Sequence, residues 1–179
     1  MARLLRSARR IALVAALVLG LVVVAGLPVY VLPTVDAVPE RADAVLVLGP
    51  PTRARTDLGR ELVREGVADT LVISVWPSDL AADPDERDVV ACDEPGMRVE
   101  CFTADPGTTQ GEARAEDWAS VVVVTQTPHI TRARMLLERC WPGEVLMVSS
   151  GEPYTLGAWA YEYAYQTAGF AKAFATPDC

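Results

Sequence analysis

From Ile11 to Leu32 the chain reads IALVAALVLGLVVVAGLPVYVL, twenty-two residues without a single charge. At the rise of an α-helix such a run covers roughly 30 Å, the hydrocarbon thickness of a bilayer. A helix that is apolar on every side has no soluble face, so this segment predicts one transmembrane helix over residues 11–32. Arg3, Arg6, Arg9 and Arg10 precede it, and the first acidic residue is Asp36. The positive-inside bias therefore predicts a basic cytoplasmic segment over residues 1–10 and a C-terminal part outside the cytoplasmic membrane. A cleavable signal peptide is the rival reading, because Val23, Val24 and Ala25 offer a small-residue site, although the apolar run is longer than an ordinary signal core.

The remainder of the chain has room for one domain. Residues 33–41, with Pro33 and Pro39, read as a short stalk, and residues 42–179 as a domain of ordinary size. Without the four N-terminal arginines, 12 basic residues face 24 acidic ones, a formal charge of about −12. Such a surface repels phosphate backbones, which argues against nucleic acid as a partner. Cys92, Cys101, Cys140 and Cys179 all lie beyond the apolar run, where disulfides persist. Four cysteines allow three pairings. Closeness in sequence favours Cys92 with Cys101, and Cys140 with Cys179 would pin the C-terminus, each bond contributing on the order of 2–4 kcal/mol. Four free thiols are the alternative, and the spacings with a single histidine fit no zinc site.

Four short apolar runs, Ala44–Leu48, Thr70–Val75, Val121–Thr125 and Glu144–Ser149, have the pattern of strands buried on both faces of a parallel sheet, and Met97–Phe102 is a weaker fifth. Helical periodicity falls between them, at Arg55–Glu65, Thr109–Trp118 and His129–Cys140. The alternation predicts an α/β, Rossmann-like three-layer sandwich with a mostly parallel sheet of about five strands. Pro153–Phe174, rich in Ala, Tyr and Trp, reads as a helix closing over one sheet face. Its aromatic residues Tyr154, Trp159, Tyr161, Tyr163 and Tyr165 are read as packing rather than as a membrane-interface patch. The acidic stretch Pro77–Pro95 lacks calcium-loop spacing and reads as a solvated loop tied down by Cys92.

In such sheets ligands gather beyond the carboxyl ends of the strands. Three segments stand there. Gly49 follows the first strand, and Arg53 or Arg55 behind it suits a phosphate or carboxylate. Thr108, Thr109 and Glu112 form a helix start that reads as a capping box, or as an anion site with Glu112 as general base. Thr125 ends a strand, after which His129 and Arg132 share one helix face near its positive end. Each also has a plain structural reading as cap, core histidine or ion-pair partner. GxGxxG, the Walker loop and GxSxG are absent, so no cofactor is expected and no metal site is legible.

The segments DAVLVLG, TLVIS, TTQGEA and above all VVVVTQTPHITRA, in this order behind an N-terminal anchor, resemble the bacterial YdcF/SanA/ElyC family, the domain of unknown function 218, over about Ala42 to Val148. The resemblance implies a Rossmann-like domain outside the cytoplasmic membrane, associated with envelope barrier function or peptidoglycan precursor metabolism. It marks Gly49, Thr109, Glu112, Thr125, His129 and Arg132 as site residues. Pro50 and Pro51 stand where many members carry small residues. The resulting expectation is a domain that binds or processes an anionic envelope metabolite, with Glu112 and His129 in proton transfer and Gly49, Arg53, Thr108, Thr109, Thr125 and Arg132 around the ligand. The alternative is a non-catalytic anchored scaffold that recruits a partner.

Overall fold

The computed structural model describes residues 2–77, 92, 94–104, 108–109, 118–177 and 179. The N-terminal apolar run forms helix α1, Ala2–Gly26, which passes at Pro28 into a wider turn, Leu27–Val31, closed by Leu32 N–H donating to the Leu27 carbonyl at 2.8 Å. Proline lacks an N–H and crowds the preceding turn, so a locally widened helix is the expected response. Arg9–Val31 is long and apolar enough to cross a membrane, and it is the only such segment among the described residues.

The stalk is not a free tether. Asp36 runs beside strand β5, Glu144–Ser149, donating its N–H to the Met147 carbonyl at 2.9 Å and accepting from Met147 N–H at 2.7 Å through its carboxylate. Arg134 pairs with the same carboxylate at 2.7 Å. Backbone groups on the outer edge of β5 are thereby satisfied, which blunts an edge otherwise open to pairing.

The sheet has five parallel strands: β1 Ala44–Val47, β2 Thr70–Ser74, β3 Arg98–Phe102, β4 Ser120–Thr125 and β5, in the spatial order β3-β2-β1-β4-β5. β1, β2 and most of β4 are buried on both faces, as continuous Val/Leu/Ile runs require. β3, the polar fifth strand, sits at an edge and is half-exposed. Helix α2, Arg53–Arg64, covers one face with Leu62, packing over Val45, Val47, Leu71 and Ile73. Helix α3, Ile130–Cys140, covers the other with Ile130, Ala133 and Leu137 over Leu46, Val121, Val123 and Met147. Gly59 sets the approach of α2: a Cβ there would lie 2.8 Å from Val47 Cγ2 and 2.9 Å from Leu71 Cδ1.

The last helix, α4, Leu156–Ala175, capped by Thr155, departs from expectation. It packs against α3, the turn before it and the Leu27–Val31 turn that follows α1 rather than over a sheet face. Its buried residues are Glu162, Gln166 and Ala173, while Tyr161 and Tyr165 are exposed, so the reading of its aromatics as packing holds for Trp159 and Tyr163 but not for these two. Both expected disulfides are present, Cys92–Cys101 and Cys140–Cys179, with Cα separations of 5.5 and 5.4 Å. The second, with Arg139 donating to the Ala173 carbonyl at 2.9 Å, fixes the end of α4 to α3. Most of the acidic stretch after Pro77 and of the segment Thr109–Trp118 lies outside the described residues. Glu94 within the first accepts from Arg60 and Arg64 at 2.8 and 2.6 Å.

Candidate functional site

The carboxyl ends of the strands open into a cavity of about 420 Å³, a size in the range of small-molecule sites. Each wall comes from a different connection. Gly49 follows β1, Ser74 to Trp76 follow β2, Thr103 and Ala104 follow β3, Thr108 and Thr109 come from the next helix start, and His129 and Arg132 follow β4. α4 closes the remaining side with Tyr165, Gly169 and Lys172. Gly49 is required where it stands, because a Cβ would lie 3.0 Å from the Ser74 carbonyl oxygen and 3.1 Å from its hydroxyl. Without a side chain there the ends of β1 and β2 lie close enough to form one floor.

β4 delivers the central pair. After Thr125 the chain turns through a short 3-10 segment, Thr127–His129, with Pro128 in its first turn, and enters α3. This turn brings His129 Nδ1 within 3.1 Å of the Thr125 hydroxyl. Thr125 is fully buried and His129 is 7% exposed. His129 Nε2 is buried and has no hydrogen-bond partner among the described residues. A buried polar atom left unpaired costs about 1–3 kcal/mol, so this nitrogen is poised to take a hydrogen bond from or to whatever enters the cavity, water or ligand. Burial, then the positive charges of Arg132 and Arg55, holds the imidazole well below its ordinary pKa, and His129 is neutral at pH 7. With Thr125 donating to Nδ1, Nε2 carries the proton and offers it to an anion. With Thr125 accepting, Nε2 presents a lone pair that takes a proton.

Arg132 lies across α4 beside Gly169, where a Cβ would come within 2.8 Å of its Nε. Its Nε donates to Gln166 Oε1 at 2.8 Å, and its Cζ sits 5.8 Å from the centre of the Tyr165 ring. Behind it runs a buried polar chain. Gln166 donates to Glu162 at 2.9 Å, Gln126 donates to the other oxygen of Glu162 at 3.3 Å, and Gln126 Oε1 accepts from Arg55 at 2.6 Å and from Tyr154 at 2.8 Å. Burial and the nearby Glu152 and Glu162 push the Tyr154 hydroxyl up to about 12, so it remains a donor. The chain ends at Glu152, which pairs with Arg55 at 3.3 Å and accepts from Thr52 and Ser150.

Of the residues read from the sequence, Gly49, Thr108, Thr109, His129 and Arg132 share this cavity, and Thr125 supports His129 from behind. Arg53 is exposed at the first position of α2 and is not among the residues lining the cavity. Arg55 is the arginine turned inward, together with Thr56, Gly59 and Leu62 on the buried helix face. Its guanidinium is spent on Glu152, Gln126 and the Pro50 carbonyl, which makes it a strut between three loops rather than a ligand clamp. Glu112 lies outside the described residues. Gln126, Glu152, Glu162 and Gln166 were missed. Glu152 follows the end of β5, a position the strand-end rule covers, whereas Glu162 and Gln166 carried no signal because a polar pair four apart on a helix reads as solvated. Among the described residues no group of three His, Cys, Asp or Glu gathers as a metal site. The chain matches no protein-family model, no curated protein and no solved structure.

Proposed function

We propose that this is a membrane-anchored protein of the YdcF/SanA/ElyC kind, its domain held outside the cytoplasmic membrane, that binds or processes an anionic envelope precursor, a phosphorylated or lipid-linked sugar. The carrying observation is the unpaired, buried Nε2 of neutral His129 beside Arg132 in the strand-end cavity. A neutral imidazole and a guanidinium together suit a phosphoryl oxygen. The arginine supplies charge and planar donors, while the imidazole supplies a directed hydrogen bond or a proton acceptor without adding a second buried charge. Gln166 links Arg132 to Glu162, a relay that orients the guanidinium within the cavity.

Position relative to the membrane agrees with a ligand presented there. Thr131, one residue before Arg132, donates to the Val29 carbonyl at 2.7 Å, so the cavity is built against the outer end of α1. One contact favours a retained anchor over cleavage near Ala25, since the Val23 carbonyl, which cleavage would remove, accepts from Tyr163.

The test is binding of pyrophosphate and of a polyprenyl phosphate to the full chain in lipid nanodiscs. Arg132→Gln is expected to weaken binding about tenfold or more, the cost of removing a charged hydrogen-bond donor. Gly169→Ala is expected to weaken binding while leaving the fold intact, because the new methyl displaces only a flexible arginine side chain. Variants binding both probes as tightly as the wild type would end this reading. Binding of pyrophosphate alone would assign a soluble rather than a lipid-linked ligand.

A further inference from the structure

Helix α4 is inside out for a helix on a water-facing surface. Glu162 and Gln166 are buried, while Leu156, Tyr161, Tyr165 and Phe174 are 89, 63, 52 and 68% exposed. The two charged residues of the helix are Glu162, turned inward, and Lys172. The outer face therefore carries no acid, in a chain that has 24 of them. Water is a poor neighbour for four large apolar or aromatic groups on one helix.

The contacts of α4 with α1 say what the neighbour is. The Tyr163 hydroxyl donates to the Val23 carbonyl at 3.1 Å. Its ring packs on Gly26, where a Cβ would have no room, and meets Tyr30 edge-on at 4.9 Å. The Tyr30 hydroxyl shares a hydrogen bond with Thr167 at 2.9 Å. Val23 lies eight residues before the end of the Arg9–Val31 segment, about 12 Å along the helix axis. A bilayer crossed by α1 thus reaches the level of Tyr163. α4 therefore runs beside one leaflet of that bilayer, in whose interfacial zone aromatic rings with a polar tip are favoured and an amphipathic helix buries its apolar face.

We propose that the outer face of α4 lies in the interface of the membrane that α1 spans, and that its occupant is the lipid bilayer itself. Leu156 and Phe174 enter the acyl boundary, and Tyr161 presents its ring to the chains and its hydroxyl to the headgroups. The inference rests on α1 crossing the membrane and is independent of what the cavity binds.

The experiment places tryptophan at Tyr161→Trp and Phe174→Trp in the full chain, reconstituted in phosphatidylcholine vesicles brominated near the top of the acyl chain. Glu61→Trp, on the exposed face of α2, is the control, and the emission of the four native tryptophans is subtracted using the wild type. The added emission at 161 and 174 is expected to fall at least about twofold in brominated lipid, with that at 61 unchanged and quenched instead by aqueous iodide. Iodide quenching at 161 and 174 equal to that at 61, without bromine quenching, overturns the proposal in favour of a water-exposed face. Protection from both quenchers overturns it in favour of a second protein chain. Should one substitution fail to fold, the other still reports on the exposed side of α4.

Discussion

His129 is the only histidine in the chain, which makes its titration separable from everything else. Unfolded, it protonates near pH 6.5. Folded, burial and the charges of Arg132 and Arg55 hold its pKa well below that value. Below about pH 6.5 the unfolded chain therefore takes up a proton that the folded chain refuses. This contribution to stability is complete above the unfolded pKa and is lost as the pH falls toward the folded one, by at most about 1.4 kcal/mol per pH unit. Thermal unfolding of the wild type and of His129→Gln at pH 7.5 and 5.0 tests it, since carboxylates titrate equally in both. The wild type is expected to lose more stability than the variant on acidification, and parallel losses would refute the buried neutral imidazole. In the sequence His129 and Arg132 were visible as a pair three residues apart. That Thr125 would hold one ring nitrogen and leave the other unpaired was not, because it depends on the 3-10 turn that precedes α3.

Helix α2 illustrates how an element reads and where the reading stops. Its apolar face gave its position to within two residues, but not the fact that Arg55 rather than Arg53 turns inward. That is fixed by Thr52 acting as the cap, which sets the phase of the first turn. Gly59 lies on the same buried face, and its lack of a side chain is a packing requirement. Gly59→Ala and Gly157→Ala remove the same helix penalty, worth about 0.5–1 kcal/mol. The Cβ at 157 meets nothing closer than 4.0 Å, whereas that at 59 collides with Val47 and Leu71. Gly157→Ala is thus expected to stabilise and Gly59→Ala to destabilise, with urea midpoints moving in opposite directions. α4 is the contrary case. Its Ala, Tyr and Trp content announced a helix, yet composition alone did not say which face is buried, and the buried one is the polar one.

At the scale of the whole molecule, two disulfides and the docked stalk join termini and edges to the sheet. Cys92–Cys101 closes a separation of 9 residues and Cys140–Cys179 one of 39. By loop-closure entropy the longer loop gains more, about 4 against about 3 kcal/mol. Cys140→Ser/Cys179→Ser is expected to lower the denaturation midpoint further than Cys92→Ser/Cys101→Ser, and also to loosen α4, which the second bond holds against α3. Equal losses would show that the unfolded chain is not the state these bonds act on.

By itself the sequence determined the membrane-length apolar helix, the α/β class, four of the strands and the strand-end location of Gly49, Thr108, Thr109, His129 and Arg132, and it favoured the fifth strand and the two cysteine pairings without deciding them. Each comes from a local pattern: charge-free length, a continuous apolar run, a cap, or proximity in the chain. Only the tertiary structure decided that Arg55 is a strut, that Glu162 and Gln166 steady Arg132 from within α4, and that α4 turns its aromatic face outward beside Val23. These are contacts between segments far apart in sequence, and nothing in the period or composition of one segment records the partner against which it packs.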